Sequence, residues 1–405
     1  MSLWRYRDFL RTWLAQLVSV IGDGLYYVAV IWWVKVTTGS NAAVAVVALC
    51  AALPGVALGP VAGVYADRLD RRRLMLAMDI ARGVLLLAPA LLLATHQLAV
   101  WHLCLVALLL ATCSTFFGPT FGASIPLLVP AEHLTTANAL NQTSFALGAL
   151  LGPALGGVLV AAFGSLPAIL VDAGTFGLSA LLLGVSRIPS PRRASTMGRQ
   201  SFGRDALEGL TFFRRQPLLL GMVLQVVALN FFRAPISVLL PGLARDVFGA
   251  GASGFGLLEG MMPAGFVLGG LALLLRRVRA IGRLLIWSLV GWGLVVGCIG
   301  VSRALPLTAA LLVIAGMSLA TANILGSGVF QTRIPVELQG RTWGAFNAVS
   351  QGLQPVALTL TAPLVGLVGL QPLFIVCGLA LVCVGLAGYL VPELSTLRRP
   401  SPAAA

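Results

Sequence analysis

Charge is what this sequence has least of. Of its 405 residues only 10% are Asp, Glu, Lys or Arg, while 58% are hydrophobic. A water-soluble domain carries roughly a quarter charged residues. So small a polar share cannot cover a water-exposed globule, and lipid is the solvent such a surface suits. Lysine is nearly absent, with Lys35 alone and Arg supplying every other basic position. The three histidines, His96, His102 and His133, stand at or near the ends of apolar runs, too scattered for a catalytic cluster or a haem pair. The six cysteines (Cys50, Cys104, Cys113, Cys298, Cys377, Cys383) lie inside apolar runs without a CxxC pair or a nearby His. That argues against a disulfide framework or a metal site, and the cysteines read as small polarizable core residues. No GxxxxGK[ST] loop occurs, so direct ATP drive is not expected. With no convergent His, Cys or acid cluster, neither an enzyme nor a cofactor is expected. A cleavable signal is not expected either: the first apolar run is too long for one and contains Asp23.

The formal net charge is +14. The arginines sit in short clusters between apolar runs, with none of the aromatic interleaving that a nucleic-acid groove needs. No nucleic-acid partner is expected. A hydrocarbon core about 30 Å thick takes roughly 20 helical residues. That ruler finds twelve continuously apolar runs: 11–36, 40–66, 74–95, 98–121, 139–163, 166–187, 217–241, 253–275, 281–302, 305–328, 341–366 and 369–392. Their lack of alternation favours helices over barrel strands. The predicted fold class is an all-α integral membrane protein of twelve transmembrane helices.

The longest polar stretch, 188–216, falls between the sixth and seventh runs. The expected organisation is therefore a six-helix bundle over 1–187, a linker over 188–216, a second bundle over 217–393 and a tail over 394–405. Residues 203–215 have the pattern of an amphipathic helix lying on the membrane surface. If the N-terminus is cytoplasmic, only Lys35, Arg245 and Arg303 fall on the opposite side, with Arg82 and Arg233 inside spans. That asymmetry predicts cytoplasmic N- and C-termini in a bacterial-type inner membrane. The halves also repeat weakly. A shift of 209 lays Gln16-Leu17-Val18 on Gln225-Val226-Val227 and Pro54 on Pro263, as a duplicated six-helix unit would.

The sharpest motif, from Gly63 to Arg73 (GVYADRLDRRR), occupies the loop between spans two and three. It resembles the GxxxDRxxRR signature of the major facilitator superfamily, and the likeness covers the whole chain. What it implies is two pseudo-symmetric six-helix bundles working by alternating access. Gly63 permits close helix approach, and Asp67 at a helix end can oppose another helix's N-terminal dipole. The superfamily places this loop beside the start of span eleven near Arg341. Gly63, Asp67, Arg68, Arg71, Arg72 and Arg341 form the expected gating motif, against the simpler reading of a topogenic Arg cluster. In span five, Gly148, Gly152, Pro153, Gly156 and Gly157 resemble the second part of the antiporter motif of drug:proton exporters, GxxxGPxxGG. The earlier Gly of that motif is missing. Without the family's role, these residues form a small packing face with a helix kink at Pro153.

Charges inside spans are costly and become functional candidates. Asp23, Glu259, Asp172 and Arg233 are the proton-coupling candidates. Simple helix-end placement competes for Asp172, and a structural Asp23–Arg233 pair for those two. Low-dielectric surroundings favour a neutral acid, and a neighbouring cation favours the carboxylate. Asp79 and Arg82 read as a local i,i+3 pair. Tyr26, Tyr27, Phe145, Asn230, Asn347 and Gln351 are the cavity candidates. The chain looks most like the macrolide-efflux and siderophore-exporter branch, through residues 16–24, 151–157 and 350–355. That resemblance implies a monomer in the lipid bilayer exporting a small amphipathic compound, with H⁺ as coupling ion. The alternative is a metabolite importer or facilitator: a clustered polar and charged pocket would favour it, and a largely apolar cavity with few charges would favour drug export. The gating reading predicts that Asp67→Asn impairs transport while leaving membrane insertion intact; unchanged transport rates would remove that role.

Overall fold

The computed structural model describes residues 3–189, 211–275, 278 and 280–397, apart from the side chains at 60, 64, 67, 336, 337 and 339–341. The first helices are α1 (Arg7–Thr38), α2 (Asn41–Arg68), α3 (Arg71–Ala94), α4 (Val100–Leu128), α5 (Leu134–Phe163) and α6 (Ser165–Val185). They are followed by α7 (Pro217–Gly242), α8 (Gly251–Leu275), α9 (Ile281–Val301), α10 (Leu305–Arg333), α11 (Val336–Gly352), α12 (Gln354–Val368) and α13 (Leu370–Ala387). A short α14 (Pro392–Thr396) ends the described chain. Among the described residues, twelve helical segments are long and apolar enough to cross a bilayer.

Local chemistry sets the boundaries. Gly39 ends α1 in the left-handed region at φ 67°, a conformation that costs glycine little. The Ser40 hydroxyl caps α2 by accepting from the Ala43 amide, and the Asp70 carboxylate caps α3 by accepting from the Arg73 amide. Pro217 and Pro355 open α7 and α12, where a missing N–H costs nothing. Several helices outrun the predicted stretches: α4 continues to Leu128 and α10 to Arg333, and α5 already begins at Leu134. Over 329–333 (VFQTR) hydropathy falls, but backbone hydrogen bonding does not require apolar side chains. Span eleven is broken at Leu353 into α11 and α12. Most of the surface helix expected over 203–215 lies outside the described residues, with 211–214 helical.

The chain forms two compact units. Unit 1 comprises residues up to 197 together with 250–260, and unit 2 comprises 198–249 with 261–405. The first turns of α8 thus belong with α1–α6. Within unit 1, α1 runs along α5 and α6, α3 along α6 and α4, and α2 along α4. Within unit 2, α9 runs along α13 and α10, while α7 touches α12 and α13. Leucines such as Leu275, 88% exposed, cover the outside, as a lipid-facing surface requires. The cysteines divide between inside and outside. Cys113 and Cys377 are buried, but Cys298 and Cys383 are exposed, because an apolar run in such a protein faces lipid as readily as core.

The glycine-rich stretch of α5 is a contact face on two sides, and α5 stays helical through Pro153. A Cβ on Gly152 would lie 2.8 Å from the Ile21 carbonyl oxygen and 2.9 Å from Gly24 Cα. Gly148 and Gly156 meet Val20 and Leu25 in the same way, so α1 lies directly on the α5 backbone. Gly157 faces the start of α8, where its Cβ would stand 2.9 Å from Gly256 Cα. Gly152→Ala is expected to force α1 and α5 apart at a cost of about 1–3 kcal/mol. Gly177→Ala, with no described atom within 4 Å of the added methyl, should be neutral or mildly stabilising. Thermal unfolding of the detergent-solubilised protein compares the two.

Candidate functional site

Unit 1 holds a charged cluster at the meeting of α1, α3, α4 and α6. Arg82 and Asp79 lie one turn apart on α3, with Arg82 Nη2 2.9 Å from Asp79 Oδ1. Both are buried, Asp79 completely. The Arg82 guanidinium is held between two rings, 4.5 Å from the Phe117 centroid on α4 and 4.7 Å from Phe176 on α6. Such cation–π contacts strengthen when water is excluded. The Ser179 hydroxyl of α6 donates to the second Asp79 oxygen. The sequence spacing predicts the local pair; its burial between aromatic rings is a product of the fold.

Asp172 of α6 belongs to the same interior. It is fully buried rather than placed at a helix end. Thr175 Oγ1 donates to Asp172 Oδ1 at 3.0 Å, and Asp172 Oδ2 has no hydrogen-bond partner among the described residues. The carboxylate sits on Gly22 of α1, where an added Cβ would lie 2.3 Å from Oδ1. The next residue, Asp23, is accessible. Its charge acts on Asp172 and Asp79, and all three carboxyls act on the one guanidinium of Arg82. Tyr26, one turn along α1, is half-buried, its hydroxyl unpartnered among the described residues. Three carboxyls thus share one cation.

Glu259 and Tyr27, proposed separately from sequence, come together. The Tyr27 hydroxyl donates to Glu259 Oε1 at 3.2 Å, from α1 to the first part of α8. Phe255 lies beside Tyr27 and stacks on Trp32, with centroids 6.3 and 6.2 Å apart. Phe145 is exposed on α5. Arg233 lies half-buried on α7 in unit 2, in the other unit from Asp23.

Unit 2 has a cavity of about 330 Å³ among α7, α9, α10 and α11. Asn230, Asn347 and Gln351 all line it, joined by Gln225 and Asn323. The Asn230 amide nitrogen donates to the Ser350 carbonyl at 3.1 Å, which ties α7 to the last turn of α11 beside the helix break. Tyr26, Tyr27 and Phe145 do not line this cavity.

The loop between α2 and α3 works partly within unit 1. Arg71 Nη1 donates to the Ala123 carbonyl of α4 at 2.7 Å. Arg72 Nε donates to the Leu183 carbonyl at 3.1 Å, and its Nη2 to Gly184. Those carbonyls belong to the last turn of α6, where Leu183 also accepts from the Ser186 amide. The two arginines therefore hold the start of α3 to its neighbours, beyond any topogenic role. Arg68 is exposed. No described atom lies within 4 Å of a Cβ built on Gly63, so the close approach expected there is not seen among the described residues. The side chains of Asp67 and Arg341 lie outside the described residues.

A family model described as transmembrane secretion effector matches residues 2–398. The chain belongs to this family of major facilitator transporters. Macrolide efflux protein A of Streptococcus pyogenes is 24% identical over 402 residues, covering 97% of this chain and 98% of that protein. The multidrug efflux pump Tap of Mycolicibacterium fortuitum is 26% identical over 394 residues, covering 95% of each chain. Among solved structures, a variant of the nucleoside transporter NupG superposes with a TM-score of 0.77 at 13% identity, over 95% of this chain and 99% of that one. That last likeness is one of fold.

In this transporter the sequence marks Asp23, Asp172, Glu259 and Arg233 as charges inside spans, and Arg82 only as a local partner of Asp79. The available signal was its position inside an apolar run, where an unneutralised cation is costly. Removing it alone by Arg82→Met leaves Asp79 buried without its counter-charge, at an expected cost of about 3–5 kcal/mol. The double variant Asp79→Asn with Arg82→Met should recover much of that stability. Thermal unfolding of the purified single and double variants measures the difference.

Proposed function

We propose that the protein is a proton-coupled exporter of a small amphipathic compound. Export rests on the full-length likeness to macrolide efflux protein A and to the pump Tap. The fold shared with a nucleoside transporter carries no direction at 13% identity. The uncharged lining of the unit 2 cavity also suits an amphipathic compound better than a charged nutrient.

Coupling rests on the acid-rich cluster of unit 1. Asp23 is its accessible member and Asp172 its buried one. A proton entering at Asp23 reaches carboxyls that compete for Arg82, and a change in helix packing alters that competition. Glu259, held by Tyr27, is a second proton site, and Arg233 a further counter-charge. Asp67 and Arg341 are assigned as gating residues, and the α5 glycine face, which contacts α1 and α8, is assigned as the antiporter motif. The termini are assigned to the cytoplasmic face of a bacterial inner membrane, by the arginine bias. The transporter is assigned as a monomer.

Expression in a pump-deficient bacterial host tests the reading. Susceptibility to at least one amphipathic compound should fall, and an uncoupler should abolish the protection. With that compound in proteoliposomes, Asp23→Asn and Asp172→Asn should each stop substrate-driven proton movement while preserving substrate exchange. Full proton movement in both variants would remove the cluster from coupling.

A further inference from the structure

The unit 2 cavity carries information about what is transported, and this inference rests on the exporter reading. Five carboxamides line it: Gln225 and Asn230 from α7, Asn323 from α10, and Asn347 and Gln351 from α11. Each offers both a donor and an acceptor and carries no charge. Among its described lining residues no Asp, Glu, Lys, Arg or His occurs. Three aromatic rings stand beside the amides. Phe330, Trp343 and Phe346 contact one another, with centroids 5.1 to 5.7 Å apart.

The amides are unequally committed. Asn230 donates to the Ser350 carbonyl, and Asn323 donates to Leu319 on its own helix. The Gln225 amide nitrogen is enclosed, with no hydrogen-bond partner among the described residues. Asn347 and Gln351, one turn apart next to the break at Leu353, are exposed toward the cavity. The Gln225 nitrogen lies against Gly388, which does not line the cavity, so Asn347 and Gln351 are the amides a ligand can reach. Among the described lining residues no counter-charge awaits a permanent cation, and charge transfer into such surroundings is costly. At about 330 Å³ the space is near the low end for ligand pockets, roughly 300–1,000 Å³, so it fits a ring-sized group.

We propose that this cavity is a binding site for an uncharged ring-sized group bearing several hydroxyl or carbonyl functions. Asn347 and Gln351 supply the hydrogen bonds, and Trp343 supplies the apolar face. Charge sensing thus falls to unit 1, and recognition of the neutral part of the substrate to unit 2.

Equilibrium binding to the purified full chain in nanodiscs tests this without any export assay. The probes are chloramphenicol and octyl glucoside, both neutral, and ethidium, a permanent cation. At least one neutral probe should bind saturably and more tightly than ethidium, quenching tryptophan fluorescence. Trp343→Phe should remove most of that quench. Asn347→Leu and Gln351→Leu, both at exposed positions, should each weaken neutral-probe binding by about tenfold or more. Asn347→Asp, nearly isosteric, should weaken the neutral probe and strengthen ethidium. The proposal is overturned if ethidium binds more tightly than both neutral probes, or if neutral binding survives both leucine variants unchanged. Neutral binding that behaves as expected, in a protein that protects no host from any compound, would retain the site and reject the exporter reading.

Discussion

A guanidinium inside a membrane protein has to be surrounded before it can be tolerated, and the interior of unit 1 is organised around that of Arg82. Its partners come from three helices: Asp79 from α3 itself, the Phe117 ring from α4, and the Phe176 ring from α6. Ser179 donates to the other oxygen of Asp79. A buried charge pair contributes little net stability compared with apolar side chains of the same volume. What it gives is a fixed register of α3 against α4 and α6, and a cation that nearby acids compete for. Arg71 and Arg72 repeat the device at the start of α3, by donating to the carbonyls of α4 and α6.

The small residues decide how near the other elements come to that centre. Gly22 lets the Asp172 carboxylate rest on the α1 backbone, and Gly152 lets α5 lie against α1 at Gly24. Asp23 stands between these contacts in sequence, so any shift of α1 is felt at once by the acid cluster and by the α5 face. The antiporter-like motif and the charged cluster therefore act on one helix from two sides. Unit 2 contains a different chemistry. Its cavity is lined by carboxamides and aromatic rings and closes near a break in span eleven. Interrupted helices are tolerated at membrane depth where the freed backbone groups are buried or line a cavity. Here one such group, the Ser350 carbonyl, is taken by Asn230.

Several features were legible in the sequence because they depend on one residue at a time. The number of spans follows from the length of apolar runs, and the family from the loop at Gly63–Arg73 together with the six-plus-six division. Asp79 with Arg82 followed from helical spacing. Asp23, Asp172 and Glu259 stood out as acids in apolar stretches, and Asn230, Asn347 and Gln351 as polar positions that now share one cavity.

What the tertiary structure decided is which way each helix faces. A span that is apolar all round does not declare its buried side, because lipid and core accept the same side chains. Asp172 could therefore be read as a helix-end residue, and Cys298 and Cys383 as core, until neighbouring helices were in place. The Ser179 bond to Asp79 joins residues 100 positions apart, and Tyr27 meets Glu259 across 232. Neither pairing has a local signal. Hydrophobicity is carried by single residues and can be counted along the chain; helix rotation and contact arise only when the helices pack.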